Sequence, residues 1–168
     1  AFVDAETNSK NMLIALAEFQ LTFVSQNSKY DHVQNGLLEF TEQELKGLAL
    51  FNKHCNSCHT APLFTNGDFE NNGIEVDSSL MDFGRLNISQ NPVDSFKFKV
   101  PSLRNLKYSA PYMHDGRFRS ISEVVKHYQA GSKNNTSNRF SKLNQVLPLE
   151  SNDQVDLIAF LLTLNDHA

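Results

Sequence analysis

Tryptophan is absent from the 168-residue sequence, and cysteine occurs only twice, both times in the window Cys55 to His59. Two thiols that close together provide neither a disulfide framework nor the second paired knuckle that a structural zinc site usually takes. Runs of Lys or Arg are missing as well. The net charge of −4 and the isoelectric point near 5.8 argue against a nucleic-acid or anionic-membrane surface, both of which favour basic patches. No apolar run is long enough to span a bilayer: the best N-terminal stretch, "MLIALAEFQLTFV", is short and is interrupted by Glu18 and Gln20, so it is expected to be a core helix. The chain opens at Ala1 with no charged n-region and cleavage site, so an export signal is expected to have been removed, or the chain to be a fragment. What remains, 40% hydrophobic and 20% charged residues, is the composition of one ordinary globular domain, residues 1–168, with a sizeable core.

The stretch that carries chemistry is "FNKHCNSCHT", residues 51–60. A redox dithiol of this spacing follows a strand in a βαβ setting, and no parallel-strand pattern surrounds it here. The reading that accounts for all three residues is C-x-x-C-H. Cys55 and Cys58 form thioethers to the vinyl groups of a haem, and His59 coordinates the iron from the proximal side. The spacing has a reason, because the thioethers fix one edge of the porphyrin and the next residue swings its imidazole under the metal. His32 and His54 read as solvated side chains.

Four helices are legible. Met12, Leu16, Phe19 and Phe23 recur at helical spacing. "TEQE" offers a capping box of Thr41 and Glu44, followed by Leu45, Leu48 and Ala49 on one face, and this helix leads into the haem motif. "SISEVVKHYQAG" repeats the box with Ser120 and Glu123. It directs Ile121, Val124, Val125 and Tyr128 inward and stops at Gly131. "SNDQVDLIAFLLTLN" is read as capped by Ser151 and Gln154, with Val155, Ile158, Ala159 and Leu162 buried. Between residues 60 and 118 Asn, Gly and Pro accumulate and no period holds, and "SKNNTSNRF" reads as a polar surface loop. The expected fold is therefore an all-α, cytochrome c-like domain with long irregular loops wrapped around the haem. Residues 1–40 would be a leading helix and linker, and residues 41–168 the haem-binding core.

The blocks "ALAEFQLTFVSQNSKYD", "GLALFNKHCNSCHTAPLFT", "DFGR", "FKVPSLRNLKYSAPYMHDGRF", "SISEVVKHY" and "DLIAFLLTLND" resemble, in order and over nearly the whole chain, the carboxy-terminal half of the bacterial di-haem cytochrome c peroxidase and MauG family. The resemblance implies an oxidoreductase with two haem domains, of which this chain is the electron-transfer half. It would be partnered by a second haem domain and fed by an electron-donor protein. Haem attachment implies maturation outside the cytoplasm, in a bacterial periplasm or equivalent space. The tryptophan that often relays the electron between the two haems cannot come from this half, which has none. A stand-alone mono-haem electron carrier is the alternative, and a haem-free structural protein survives only if the thiols are unmodified.

Arg85 in "DFGR" and Arg104 in "SLRN" are candidates to bind haem propionates, for which the arginine fork is suited, and the resemblance favours Arg104. It also admits calcium through the carbonyls of Ser109 and Pro111, with the side-chain ligand coming from the missing domain. For the sixth iron ligand two residues compete. Met113, in "PYMHDG", is the type found in ordinary cytochromes c. Laid against the family, however, it falls where many members have phenylalanine. Tyr128 takes the place of the ligand residue further on, as in the MauG branch. A phenol oxygen is a hard donor that favours ferric and higher iron states and a low potential. His114 reads as a loop or propionate-side contact, and His127 lies one residue off the inward stripe.

Overall fold

The structure, a computed structural model, describes residues 7–130 and 147–166. Among these, helices α1 (Ser9–Leu21), α2 (Lys29–Gln34), α3 (Glu42–His54), α4 (Leu86–Ser89), α5 (Ile121–Ala130) and α6 (Ser151–Leu162) follow one another. Two-residue strands β1 (Phe69–Glu70) and β2 (Phe98–Lys99) pair antiparallel, Phe69 opposite Lys99 and Glu70 opposite Phe98. The chain is thus mostly helical, with a minimal ladder where only loop was expected. The Gly131 stop and the loop "SKNNTSNRF" lie outside the described residues.

The expected capping boxes of α3 and α5 form. Glu44 accepts the Thr41 N–H at 2.7 Å, and Glu123 accepts the Ser120 N–H at 2.9 Å. On α6 the box sits one residue earlier than expected, with Asp153 accepting the Glu150 N–H at 3.0 Å. Gln154 is thereby freed to reach α5, where its amide donates to the Ser122 hydroxyl at 2.9 Å.

Helices α3 and α6 cross at the centre of the molecule. Gly47 is the reason they come so close, since a Cβ there would run into the Asp156 carbonyl carbon at 2.7 Å and the Phe160 Cβ at 2.8 Å. Around this crossing Phe51, Phe64, Val125, Leu149, Leu157, Phe160, Leu161 and Leu164 form the core. The buried faces are rotated from those expected. On α3 it is Gly47 and Phe51 that are buried while Leu45 is exposed, and on α6 Leu157, Phe160 and Leu161 are buried while Val155 and Leu162 face out. Both helices carry apolar residues on more than one side, so periodicity alone fits two registers. The glycine contact and the Phe51–Phe160 ring pair, centroids 5.1 Å apart, select the observed one.

Helix α1 departs most from expectation. Its stripe is not core: Met12, Leu16 and Phe19 are 57%, 51% and 60% exposed, no residue of the helix is buried, and Phe23, expected on the same helix, lies past its end at Leu21 and is 69% exposed. The segment that follows does pack inward. Tyr30 meets Phe64 edge to face at 4.9 Å, and Phe40 stands 6.1 Å from Phe160. None of the described helices is long and apolar enough to cross a membrane.

Candidate haem site

Helix α3 ends at His54 and is capped by Cys55, whose N–H donates to Phe51 O at 2.8 Å. The chain then turns tightly. Cys58 N donates to Cys55 O at 3.2 Å and His59 N to the same carbonyl at 2.9 Å, which gathers both thiols and the imidazole on one turn. The thiols are free and half-buried. Burial, with the neighbouring Cys58 charge adding to it, pushes the Cys55 thiol up to about 12.

The His59 ring is oriented from behind. Its Nδ1 lies 3.0 Å from Phe64 O, and that carbonyl can only accept, so Nδ1 carries the proton and Nε2 presents a lone pair. Burial lowers the His59 pKa, while the carbonyls of Phe64 and Pro101 oppose the shift, so the ring is neutral near pH 7, the form that binds a metal. Phe64 adopts φ 55° and puts its ring in the core with its carbonyl toward His59.

The loop bearing Phe64 is laced to the segment "VPSLR". Thr65 Oγ1 donates to Val100 O at 2.6 Å, Ser102 Oγ to Leu63 O at 2.6 Å, and Arg104 Nε to Pro62 O at 2.9 Å. Position 104 therefore braces the haem loop. The rest of its fork is taken by Asp31, at 2.9 Å and 2.8 Å, a partner that sequence reasoning missed because it lies 73 residues away. Arg85 pairs with Asp94 at 3.3 Å and lies over the Phe69 ring at 4.3 Å. Arg104 is thus engaged by protein groups at Nε and at both terminal nitrogens, whereas Arg85 pairs through Nε and its side chain is 42% exposed.

Helix α5 carries the half-buried Tyr128. Burial raises its phenol pKa, and the charges of Cys55 and then Cys58 add to the rise; its ring meets that of His127 at 5.3 Å. Met113 is in the left-handed region at φ 72°, and its sulfur accepts from Asn72 Nδ2 at 3.3 Å. His114 stacks on Phe98, centroids 3.7 Å apart, and His127 Nε2 lies 2.9 Å from Asn72 O. Ser109 donates its hydroxyl to Leu106 O at 3.2 Å, and both Ser109 and Pro111 are exposed. The described residues contain no group of three or more His, Cys, Asp or Glu side chains placed to hold a metal ion.

Two thiols and a neutral imidazole on one turn are the donor set that a covalent haem takes. The cytochrome c family profile matches residues 44–165. A cytochrome-c peroxidase, IdrP1, of Pseudomonas sp. (strain SCT) is 35% identical over 90% of this chain and 48% of its own length. The methylamine utilization protein MauG of Methylophilus methylotrophus is 34% identical over 100% of this chain and 50% of its own. Among solved structures, a MauG-like protein associated with microbial copper homeostasis superimposes with a TM-score of 0.78 at 30% identity, covering 96% of this chain and 55% of that one. The chain spans about half the length of these curated relatives. It belongs to the cytochrome c family, within the group of di-haem cytochrome c peroxidases and MauG proteins.

Proposed function

We propose that this chain is the electron-transfer half of a di-haem oxidoreductase, binding one haem c and working beside a second haem domain. The haem supplies one-electron iron chemistry whose potential the axial ligands set. Cys55 and Cys58 would attach it, and His59 through Nε2 and Tyr128, with Met113 as the alternative to Tyr128, would hold its iron. The brace of Arg104, Pro62, Ser102 and Leu63 holds the loop that orients His59. Arg85 and Arg104 are the candidates for the haem propionates, Arg85 pairing with Asp94 through Nε and Arg104 having to share its terminal nitrogens with Asp31. Ser109 and Pro111 carbonyls supply a minority of the roughly six to eight oxygens that calcium takes, so a calcium ion here depends on ligands from the second domain. Thioether attachment places maturation outside the cytoplasm, in a periplasm or its equivalent, where an electron-donor protein would deliver the reducing electron.

The observation that carries the two-domain reading is the α1 stripe, whose Met12, Leu16 and Phe19, with Phe23 just beyond the helix, are each more than half exposed. A contiguous apolar helix face in water marks an interaction surface. The alternative, a stand-alone mono-haem carrier, gives that face nothing to cover it. The test is the haem content of the full-length gene product by pyridine haemochrome against protein concentration. Two covalent haems per chain support the proposal, and one haem together with a monomer in solution rules it out.

A further inference from the structure

We infer that Asn72 is a positioning residue that holds the Met113 sulfur in a hydrogen bond and so leaves the distal iron position to Tyr128. The inference rests on the reading of Tyr128 as distal ligand and names what excludes its competitor. Asn72 Nδ2 donates to Met113 Sδ at 3.3 Å. The amide cannot be turned round without loss, because its Oδ1 accepts the Ile74 N–H at 3.3 Å in a local Asx turn. The Asn72 main chain is fixed in turn to the ligand helix: His127, next to Tyr128 on α5, reaches Asn72 O through Nε2 at 2.9 Å. The rival donor is thus tied to the same helix that presents the phenol.

The Met113 backbone works in the same direction. A methionine at φ 72° is uncommon. The turn that imposes it is closed by the Tyr112 N–H to Phe118 O at 2.7 Å and the Gly116 N–H to Met113 O at 3.3 Å. Its neighbours are also engaged, His114 on the Phe98 ring at 3.7 Å and Asp115 with Arg117 at 2.6 Å. A thioether has two lone pairs and accepts weakly, so one N–H does not by itself block coordination; what withholds Met113 is the place at which the bond and the turn together fix its sulfur. Removing the donor while keeping the turn therefore converts Met113 from a tethered side chain into a ligand wherever the tyrosine has vacated the site.

The experiment uses the ferric haem-loaded protein and reads the sulfur-to-iron charge-transfer band near the red edge of the visible spectrum, spin state by EPR, and reduction potential. Asn72→Asp keeps an acceptor for Ile74 and loses the N–H donor. Asn72→Ala serves where the carboxylate impairs haem uptake, which pyridine haemochrome and circular dichroism check. Tyr128→Phe alone is expected to turn the iron high-spin without a sulfur band. Adding Asn72→Asp should bring the band in, restore a low-spin iron and raise the potential, and adding Met113→Leu should remove the band again. A sulfur band in Tyr128→Phe alone, or none in a correctly folded Tyr128→Phe/Asn72→Asp, overturns the inference. If Tyr128→Phe matches the wild type, the tyrosine reading fails separately. The Asn72→Asp single variant then decides the tether by whether the band appears.

Discussion

Arg104 closes both terminal nitrogens of its guanidinium on the carboxylate of Asp31, at 2.9 Å and 2.8 Å, and joins α2 to the loop that orients His59. The pair is well shielded, the side chains being 8% and 15% exposed. Hydrogen bonds from Arg104, then those from Ser28, hold the Asp31 carboxyl well below the usual carboxylate range against the opposing effect of burial. Because its folded pKa is depressed, Asp31 adds stability that is present above its unfolded pKa and lost as the pH falls below about 4. Asp31→Asn should therefore cost about 2 kcal/mol at pH 7. That corresponds to roughly 4 to 8 °C in Tm. The gap between variant and wild type should narrow on acidification below pH 4, and melts at pH 7 and in mild acid check this.

Gly47 provides a second point of leverage. Its missing side chain lets α3 and α6 touch, and alanine would gain helix propensity while forcing the backbones apart. Overpacking outweighs the gain, so Gly47→Ala should destabilise by about 2 to 3 kcal/mol. Denaturant melts measure it. A neutral or stabilising result would mean that the crossing relaxes freely.

These two sites show where sequence reasoning reaches and where it stops. The haem turn is legible because covalent attachment needs residues adjacent in the chain, and the Thr41–Glu44 and Ser120–Glu123 boxes are legible because each closes within three residues. The register of α6 is not, since apolar residues surround it and the deciding contact comes from Gly47 on another helix. Periodicity marked one face of α1 as apolar but says nothing of what covers it, and here the described chain leaves it open. Asp31 and Asn72 carried no local signal, as their partners Arg104 and Met113 stand 73 and 41 residues away.

The haem turn predicts a mass. The purified protein should weigh one haem more than this sequence for each copy of residues 55–59, and Cys55→Ala/Cys58→Ala should lose the thioether haemochrome altogether. An intact mass equal to the bare polypeptide would end the assignment.

The open face of α1 predicts a difference between two forms of the protein. Leu16→Glu with Phe19→Glu should change the stability of the 168-residue chain by no more than about 0.5 kcal/mol, since both side chains are exposed. In a chain extended by the second haem domain the same pair should be costly, each buried apolar side chain contributing about 1.5 to 3 kcal/mol. Parallel thermal melts of the two forms decide it, and equal effects would remove α1 from the domain contact.

The last expectation concerns peroxide. Reducing it needs an iron with an open distal position, an acid–base group beside it and a second electron at hand. In this chain His59 and Tyr128 would close both faces, and one haem holds one electron, so the isolated haem-loaded chain should show negligible peroxidase turnover while remaining reducible. Tyr128→Phe opens the distal face, because Met113 stays on Asn72 and His127 on the Asn72 carbonyl. The variant should therefore react with peroxide at least about tenfold faster in a single turnover, equivalent to ~1.4 kcal/mol of barrier. It should still lack sustained turnover, since the second electron and the proton-transfer group remain missing. Stopped-flow mixing with hydrogen peroxide separates the two phases. Rapid multiple turnover by the wild-type chain alone would show that this half is itself the peroxide-reacting one.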